Sequence, residues 1–367
     1  MPIDKKGFSM IHDVSKKHKS HTALDGLFRY AEFLNFGEIH IKFDPKTNLR
    51  AIVAIHNLKR GPGIGGCRLV HYKSTDKALE DVMRLAYMMS FKAAMNNLAH
   101  GGAKAVLIAP REIKDREAYF HSFADFVNDL NGRYVTAVDS GTSMDDMDIV
   151  AERCKYVTTT SALGDLGNPS IHTATGVRRS IEAAVKFKLG RDSLEGIRVA
   201  IQGTGHVGYF LARELTDLGA KLILTDVNKR SLSQCAEEFN AETCLPEQIY
   251  SRDADVFAPC ALGSVLNSET INELKVSIIA GSANNQLAHH NHADLLHERG
   301  ILYAPDFVTN AGGLIYAAAM YDHDDFHKAK LQVSDIYDNL LDLFARSKKE
   351  NRSTIEIAES IAAERLK

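Results

Sequence analysis

The chain has 367 residues, which at roughly 150 residues per domain suggests two domains. Its 45% hydrophobic and 25% charged content is that of an ordinary globular protein, and a formal net charge of -3 gives no reason to expect nucleic acid or an anionic membrane as a partner. No apolar run approaches the ~20 residues needed to span a bilayer. The five cysteines (Cys67, Cys154, Cys235, Cys244, Cys260) show no C-x-x-C spacing and cannot all be bridged, so a reducing compartment, the cytoplasm, is expected.

The N-terminus, "MPIDKKGFSMIHDVSKKHKSH", is lysine-rich, carries acids and lacks an apolar signal core, so it reads as a basic surface extension. From Leu27 to His56 the pattern predicts a helix, then the strands "EIHIKFD" and "LRAIVAIHN" split by the turn "PKTN". The segment "GPGIGGCR" reads as a glycine-rich loop. A long helix follows from about Thr75 to Leu98, with Ser74 and Thr75 as caps. Within and after this helix stand two lysines in apolar surroundings. Lys92 interrupts the stripe of Leu85, Met88 and Met95, and Lys104 lies between Gly101-Gly102 and Ala105-Val106-Leu107-Ile108. Lysine is almost never fully buried unless paired, so a counter-charge is required.

The strand after Lys104, a helix from Glu117 to Leu130 and the strand "RYVTAVD" complete a first α/β unit. "TTTSALGDLGNPS" reads as a connector. Beyond it, "IRVAIQGTGHVGYFLARELTDLGAKLILTDVN" is strand, helix and strand, and "ADVFAPCA", "KVSIIAGSA" and "ILYAPDFVTNAGG" are short apolar runs. Apolar runs alternating with helices predict a parallel sheet covered on both faces. The division expected is residues 1–160 for an N-terminal α/β domain and 161–351 for a Rossmann-like doubly wound domain, with the last helix, within 352–367, returning to the first.

Gly203, Thr204, Gly205, His206, Val207 and Gly208 form G-x-G-x-x-G between a strand and a helix. Glycine permits the tight turn, the approach of a pyrophosphate and close packing of helix on strand, and the helix N-terminus offers free N–H groups. Asp226, 23 residues after Gly203, closes the next strand, where an acid accepts hydrogen bonds from the adenosine ribose. It repels a 2′-phosphate, which favours NAD over NADP, although Lys229 and Arg230 stand nearby.

"GPGIGGCR", "SFKAAMNNLAHGGAKAV", "TAVDSGTSMDDMD", "GNPSIHTATGV", "APCALG", "AGSANNQL" and "APDFVTNAGG" occur in the order found in the Glu/Leu/Phe/Val amino-acid dehydrogenases. From about Leu27 onward the chain resembles the leucine branch of that family. The resemblance implies two domains with the active site in the cleft between them, and NAD-dependent oxidative deamination of an L-amino acid to a 2-oxo acid and ammonium. It implies that Lys92 holds the substrate carboxylate, that Lys104 activates water, and that Asp139 moves protons to and from the nitrogen. A lysine desolvated beside a second cation loses its proton more readily, and the substrate carboxylate supplies the missing counter-charge for Lys92. Thr173 and Asn284 resemble cofactor-binding positions, and Asn310 one that touches substrate or cofactor. Gly65, Gly66, Ile64, Met89, Ala137, Leu314 and Ala317 fall where the family binds substrate.

Glutamate enzymes of the family place a lysine where Ile64 stands and a serine where Ala317 stands, so an apolar side chain is expected here. Leucine enzymes typically carry valines at the positions of Leu314 and Ala317, which leaves phenylalanine as an alternative to the branched-chain amino acids. A catalytically silent NAD-binding regulatory subunit is a rival from another class. The family forms closed homo-oligomers. No metal site is expected: "AHHNHADLLH" (His289, His290, His292, His297) and "YDHDDFH" (His323, His327) read as solvated surface. The acids Asp145, Asp146 and Asp148 suit a first helical turn. Cys67 has nothing beside it that makes it a nucleophile.

Overall fold

The computed structural model describes residues 36–162, 168–261, 263–323 and 326–367, together with Phe28, Ala31, Glu32 and Leu34. The expected N-terminal extension and most of the first helix lie outside them. So do residues 163–167 of the expected connector, and Pro169 and Ser170 at its end already belong to a helix.

Described residues up to Asn168, with Leu314–Lys328 and Ala362–Lys367, form one unit; Pro169–Gly313 and Ala329–Ile361 form another. In the first unit, β1 (Glu38–Asp44) and β2 (Leu49–Asn57) pair antiparallel, Asp44 opposite Leu49. Their turn is held by the Asp44 carboxylate, which accepts from Lys46 N and Thr47 Oγ1, and by Asn48 in the left-handed region at φ 59°. The next segment, expected as a loop, is a strand: β3 (Gly63–Val70) lies parallel between β4 (Gly101–Ile108) and β5 (Tyr134–Val138). Its glycines fit a sheet because there is no room for side chains. A Cβ on Gly65 would stand 1.9 Å from Ala103 O, and one on Gly66 2.6 Å from Val138 O.

The sheet order is β1-β2-β4-β3-β5, and β2 pairs antiparallel with β4. The sheet is therefore mixed, as the four-residue turn between β1 and β2 requires, since so short a link joins only antiparallel strands. Helix α1 (Thr75–Met95) starts at Ser74, whose side chain accepts from Lys77 N, and packs on β2 and β4. Helices α2 (Arg116–Asp129) and α3 (Met144–Ala151) lie against each other, and Tyr119, Phe120 and Phe123 of α2 enter a core with Leu49, Val53, Cys67, Ala103 and Ala105.

In the second unit α4 (Pro169–Leu189) leads into β6 (Arg198–Gln202), α5 (His206–Asp217), β7 (Lys221–Thr225), α6 (Lys229–Glu238) and β8 (Glu242–Thr243). After β9 (Val256–Pro259) come α7 (Ser268–Glu273), β10 (Ile278–Ile279), α8 (His292–Glu298), β11 (Leu302–Tyr303) and α9 (Asp306–Thr309). These six strands are all parallel, in the order β11-β10-β9-β6-β7-β8. The order reverses between β6 and β9, and in such doubly wound sheets ligands bind outside the carboxyl ends of the strands at that point.

Helices α10 (Gly312–Tyr321), α11 (Phe326–Ser334), α12 (Ile336–Glu350) and α13 (Thr354–Arg365) close the chain. Leu314–Lys328, inside the range expected for the second domain, groups with the first unit: Thr158 Oγ1 donates to Ala317 O at 2.9 Å, and His100 pairs with Asp322 at 2.9 Å. Of the final helix only the end does so, where Arg365 donates to the Ala94 and Met95 carbonyls left open by the end of α1. Thr354 and Glu359 bond within the second unit, to Tyr303 O and His290.

Two glycine substitutions separate clash from strain. Gly65→Ala drives a methyl group into a backbone carbonyl, and the loss of stability is expected to be about 3 kcal/mol or more. Gly190→Ala, at φ 68° in open space, is expected to cost only about 1 kcal/mol of left-handed strain. Urea midpoints of the two variants give the comparison, and equal losses contradict the close packing of β3.

Candidate active site

Side chains alternate across a strand. Ala103 and Ala105 face the core under α2, so Lys104 points to the other face of β4, where a Cβ on Gly102 would meet Ser90 of α1. Lys104 is only 6% exposed. Its counter-charge belongs to the protein: Nζ lies 2.9 Å from Asp139 Oδ2, just past β5. The sequence reading reserves the substrate carboxylate for Lys92 and names no counter-charge for Lys104, and the fold supplies one. An ammonium this buried has to be paired before any substrate arrives. Lys92, in the last turn of α1, is half-buried.

The same oxygen of Asp139 takes a second cation. Arg68 Nε stands 3.2 Å from Oδ2, and its NH1 reaches Asp81 Oδ2 at 3.0 Å. Burial alone would raise the Asp139 carboxyl, but Lys104 and Arg68 outweigh it and hold the group well below the usual carboxylate range. Asp139 N donates to Thr142 Oγ1, which donates in turn to Cys67 O. Burial pushes the Cys67 thiol up to about 12, so it stays protonated and inert.

Two of the expected substrate positions of the first unit, Gly66 and Ala137, lie beside this knot. Gly66 pairs with Ala137 in the β3–β5 register, and a Cβ on Gly66 would stand 2.8 Å from Asp139 Cβ. Ile64 is fully buried, while Met89 and Leu314 are half-buried. Ala317 is brought beside β5 by Thr158, whose N–H donates to Thr136 O as its hydroxyl reaches Ala317 O.

The second unit carries the dinucleotide positions. Gly203 turns at φ 104°, where a Cβ would meet Ala261 at 2.8 Å, and a Cβ on Gly208 would stand 1.9 Å from Gly203 O. A Cβ on Gly205 would meet nothing within 4 Å, so the middle glycine faces open space. That is the division of labour of a pyrophosphate cradle: turn, approach, helix packing. Gly205 opens α5 without a side-chain cap, and His206 beside it is exposed, leaving the helix N-terminus to an anion. Asp226 accepts from Thr204 N at 2.6 Å through Oδ2 and from Asn228 N at 2.7 Å through Oδ1, so it braces the loop. The residues present fit a nicotinamide dinucleotide.

Asn310, one residue past α9, donates through Nδ2 to Ser282 O at 3.1 Å and to Asn284 Oδ1 at 2.8 Å. Both amide hydrogens are used, while the buried Oδ1 accepts no hydrogen bond among the described residues. The oxygen is thus offered to a donor. Thr173, in the first turn of α4, spends its hydroxyl hydrogen on Pro169 O and keeps its lone pairs for an N–H.

Two family profiles cover the described chain. The Glu/Leu/Phe/Val dehydrogenase dimerisation domain matches residues 36–156, and the Glutamate/Leucine/Phenylalanine/Valine dehydrogenase domain matches 168–228 and 222–366. The chain belongs to the Glu/Leu/Phe/Val dehydrogenase family. It is 46% identical to leucine dehydrogenase of Geobacillus stearothermophilus over 342 residues, 93% of each chain. Identity to phenylalanine dehydrogenase of Lysinibacillus sphaericus is 40%, over 90% of this chain and 88% of that one. The solved structure of L-tryptophan dehydrogenase from Nostoc punctiforme superposes with a TM-score of 0.81 at 37% identity, covering 92% of this chain and 98% of that one.

Family motifs led to Lys104 and Asp139 but not to the residues that hold them. Arg68 stands inside "GPGIGGCR" and was visible there, whereas nothing in the spacing of Asp81, Tyr72 or Thr142 marks them. Of the histidines of "AHHNHADLLH", His289 is exposed as expected, whereas His290 and His292 are not solvated surface. His292 is 5% exposed, accepting from His289 N and bonded to Ser268 Oγ, and His290 pairs with the Glu359 carboxylate at 3.3 Å. They close a turn and tie down α13. Asp146 is a helix-start acid as expected, in a capping box with Ser143 and paired with Arg116.

Because folding lowers the Asp139 carboxyl below its unfolded value of about 3.9, its contribution to stability is full above that pH and fades as pH falls toward the folded value. Asp139→Asn leaves Lys104 without its counter-charge and is expected to cost about 3 kcal/mol at pH 7. Urea midpoints taken at neutral pH and again near pH 3 should show the gap to wild type closing. A gap that stays constant would mean that the carboxylate is not held by the two cations.

Proposed function

We propose that the chain catalyses the reversible NAD-dependent oxidative deamination of apolar L-amino acids, with leucine and the other branched-chain amino acids preferred. The observation that carries this reading is 46% identity to a leucine dehydrogenase across 93% of the chain, joined to a buried, acid-paired lysine at the expected catalytic position. Phenylalanine is the second reading: Leu314 and Ala317 depart from the leucine-type lining, and a phenylalanine dehydrogenase is 40% identical.

Bound at the Gly203–Gly208 loop, NAD supplies the acceptor for the hydride that leaves the substrate α-carbon. Lys92 pairs with the α-carboxylate and fixes the amino acid. Lys104 takes a proton from water as the water oxygen bonds to the imino carbon, and Asp139 passes protons to and from the nitrogen until ammonium leaves. The sum is amino acid, NAD⁺ and water going to 2-oxo acid, ammonium, NADH and one proton. Ile64, Met89, Ala137, Leu314 and Ala317 offer the substrate side chain no charge. Gly65 and Gly66 let it approach the sheet. Asn310, oriented by Asn284, accepts from a substrate or carboxamide N–H, and Thr173 accepts from the carboxamide. Asp226 accepts from the adenosine ribose.

The chain is proposed to act in the cytoplasm as a homo-oligomer. All five cysteines are free thiols. The profile matching residues 36–156 is that of a dimerisation domain, and the edge strand β1 exposes Ile41 and Phe43. Sedimentation of the purified chain tests the assembly.

A panel of L-amino acids with NAD, followed by NADH absorbance, tests the activity. kcat/KM is expected to be highest for a branched-chain member, and Lys104→Ala is expected to lower kcat by ~10²-fold or more while NADH binding is retained. A maximum at phenylalanine would replace leucine in the reading, and absence of turnover on every member would leave a silent NAD-binding subunit.

Cofactor choice gives a further test. Asp226→Ser removes the charge that repels a 2′-phosphate, so the preference for NAD over NADP is expected to narrow. Affinity for NAD should fall as well, since Thr204 N loses the acceptor that braces the loop. Equal use of both cofactors by the unmodified enzyme would assign cofactor choice to Lys229 or Arg230 instead.

A further inference from the structure

The ion pair of Lys104 with Asp139 is one end of a longer chain of charges. Arg68 links Asp139 to Asp81, and Asp81 is itself held by Tyr72 OH at 2.7 Å on Oδ2 and by Arg84 at 3.1 Å on Oδ1. Arg68 and Asp81 are each about one-fifth exposed, at 20% and 17%, so solvent screens them only in part. Cys67 and Tyr134, which also face Asp139, are kept neutral by burial, as Tyr72 is beside Asp81.

The charges can be counted. In these linked ion pairs two carboxylates, Asp139 and Asp81, meet two guanidinium groups, Arg68 and Arg84, and one ammonium, Lys104, while Lys92 in the last turn of α1 is a further cation of the same sign. Guanidinium does not give up its proton in a protein. The cluster is therefore balanced when Lys104 is neutral and carries one excess positive charge when Lys104 is protonated. A lone lysine–aspartate pair would have the opposite balance and would hold its proton.

We propose that Arg68, anchored by Asp81, is a positioning residue that fixes the Asp139 carboxylate and supplies the permanent positive charge that lets Lys104 lose its proton during turnover. This rests on the dehydrogenase reading for the word turnover, but the charge balance is a property of the folded chain. Removing the cation makes every proton in the cluster harder to lose, and removing the Asp81 anion makes each easier to lose. Opposite shifts from neighbouring residues are the signature of charge, which a purely structural role would not produce.

The test compares wild type with Arg68→Met, Arg68→Lys and Asp81→Asn. Acylation of Lys104 by acetic anhydride, read by peptide mass from about pH 6 to 11, follows the neutral amine without any turnover. The labelling curve is expected to move up by about one pH unit in Arg68→Met, down in Asp81→Asn, and back near wild type in Arg68→Lys. The pH profile of kcat/KM for L-leucine with NAD should move in the same directions, with kcat of Arg68→Lys still lowered because its two-carboxylate fork is gone. Labelling curves that stay put, or that move the same way in Arg68→Met and Asp81→Asn, overturn the proposal. If Arg68→Met does not fold, Asp81→Asn decides alone, and a curve that stays or rises overturns it. Labelling that shifts as expected in a chain with no turnover would sink the dehydrogenase reading and leave the charge balance standing.

Discussion

A single carboxylate oxygen, Asp139 Oδ2, sets the character of the first unit. It receives the Lys104 ammonium at 2.9 Å and the Arg68 guanidinium at 3.2 Å, and each of those groups arrives on a different strand. Lys104 comes from β4, Arg68 from β3, and Asp139 from the end of β5, so the knot ties three adjacent strands at one point. Burying these charges singly would be prohibitive, and together they satisfy one another. The strand order is what makes the arrangement available: β3 lies between its two partners, and the side chains at Arg68 and Lys104 alternate away from the aromatic core under α2.

That geometry depends on the absence of side chains next to it. Gly65 and Gly66 let β3 lie against its neighbours, and Gly102 lets α1 cross β4 with its Ser90 in contact. The second unit uses the same device for another end. There Gly203 and Gly208 bring strand and helix together, while Gly205 keeps a space open. Glycine has one physical property in both places, the missing Cβ, and it serves packing in the first and access in the second. Sequence motifs rich in glycine blur this difference. "GPGIGGCR" looked like a loop because glycine is more often found in turns than in strands, and only the contacts of each missing Cβ show otherwise.

The second unit was the more legible in the sequence. Strand, glycines, helix and acid stand in register along a continuous stretch, and each part is local, so "RVAIQGTGHVG" and Asp226 could be placed by spacing alone. The helix start at Ser74 and the first-turn acids Asp145 and Asp146 were legible for the same reason. In the first unit the decisive contacts are long-range: Arg68 with Asp139 and Asp81, Thr158 with Ala317, Arg365 with the end of α1. No periodicity announces such pairs. Family motifs supplied Lys104 and Asp139 as separate residues, and nothing in their spacing marked them as an ion pair. The folded chain supplies the counter-charge itself, since a buried ammonium must be neutralised with or without substrate.

Each unit carries its own polar constraint. In the first, one carboxylate holds the Lys104 ammonium and the Arg68 guanidinium. The second offers, at Asn310, an oxygen whose own amide hydrogens are already committed to Ser282 O and Asn284 Oδ1. Asn310 therefore cannot turn over to present its NH₂ without breaking both bonds, and a carboxylate brought to Oδ1 would meet only repulsion. A group bearing N–H is welcome there, and a carboxylate is not. In the proposed reading Ile64 and Ala317 meet the substrate side chain with no charge, so discrimination among apolar amino acids falls to volume alone, where a single methylene is worth roughly 1–3 kcal/mol.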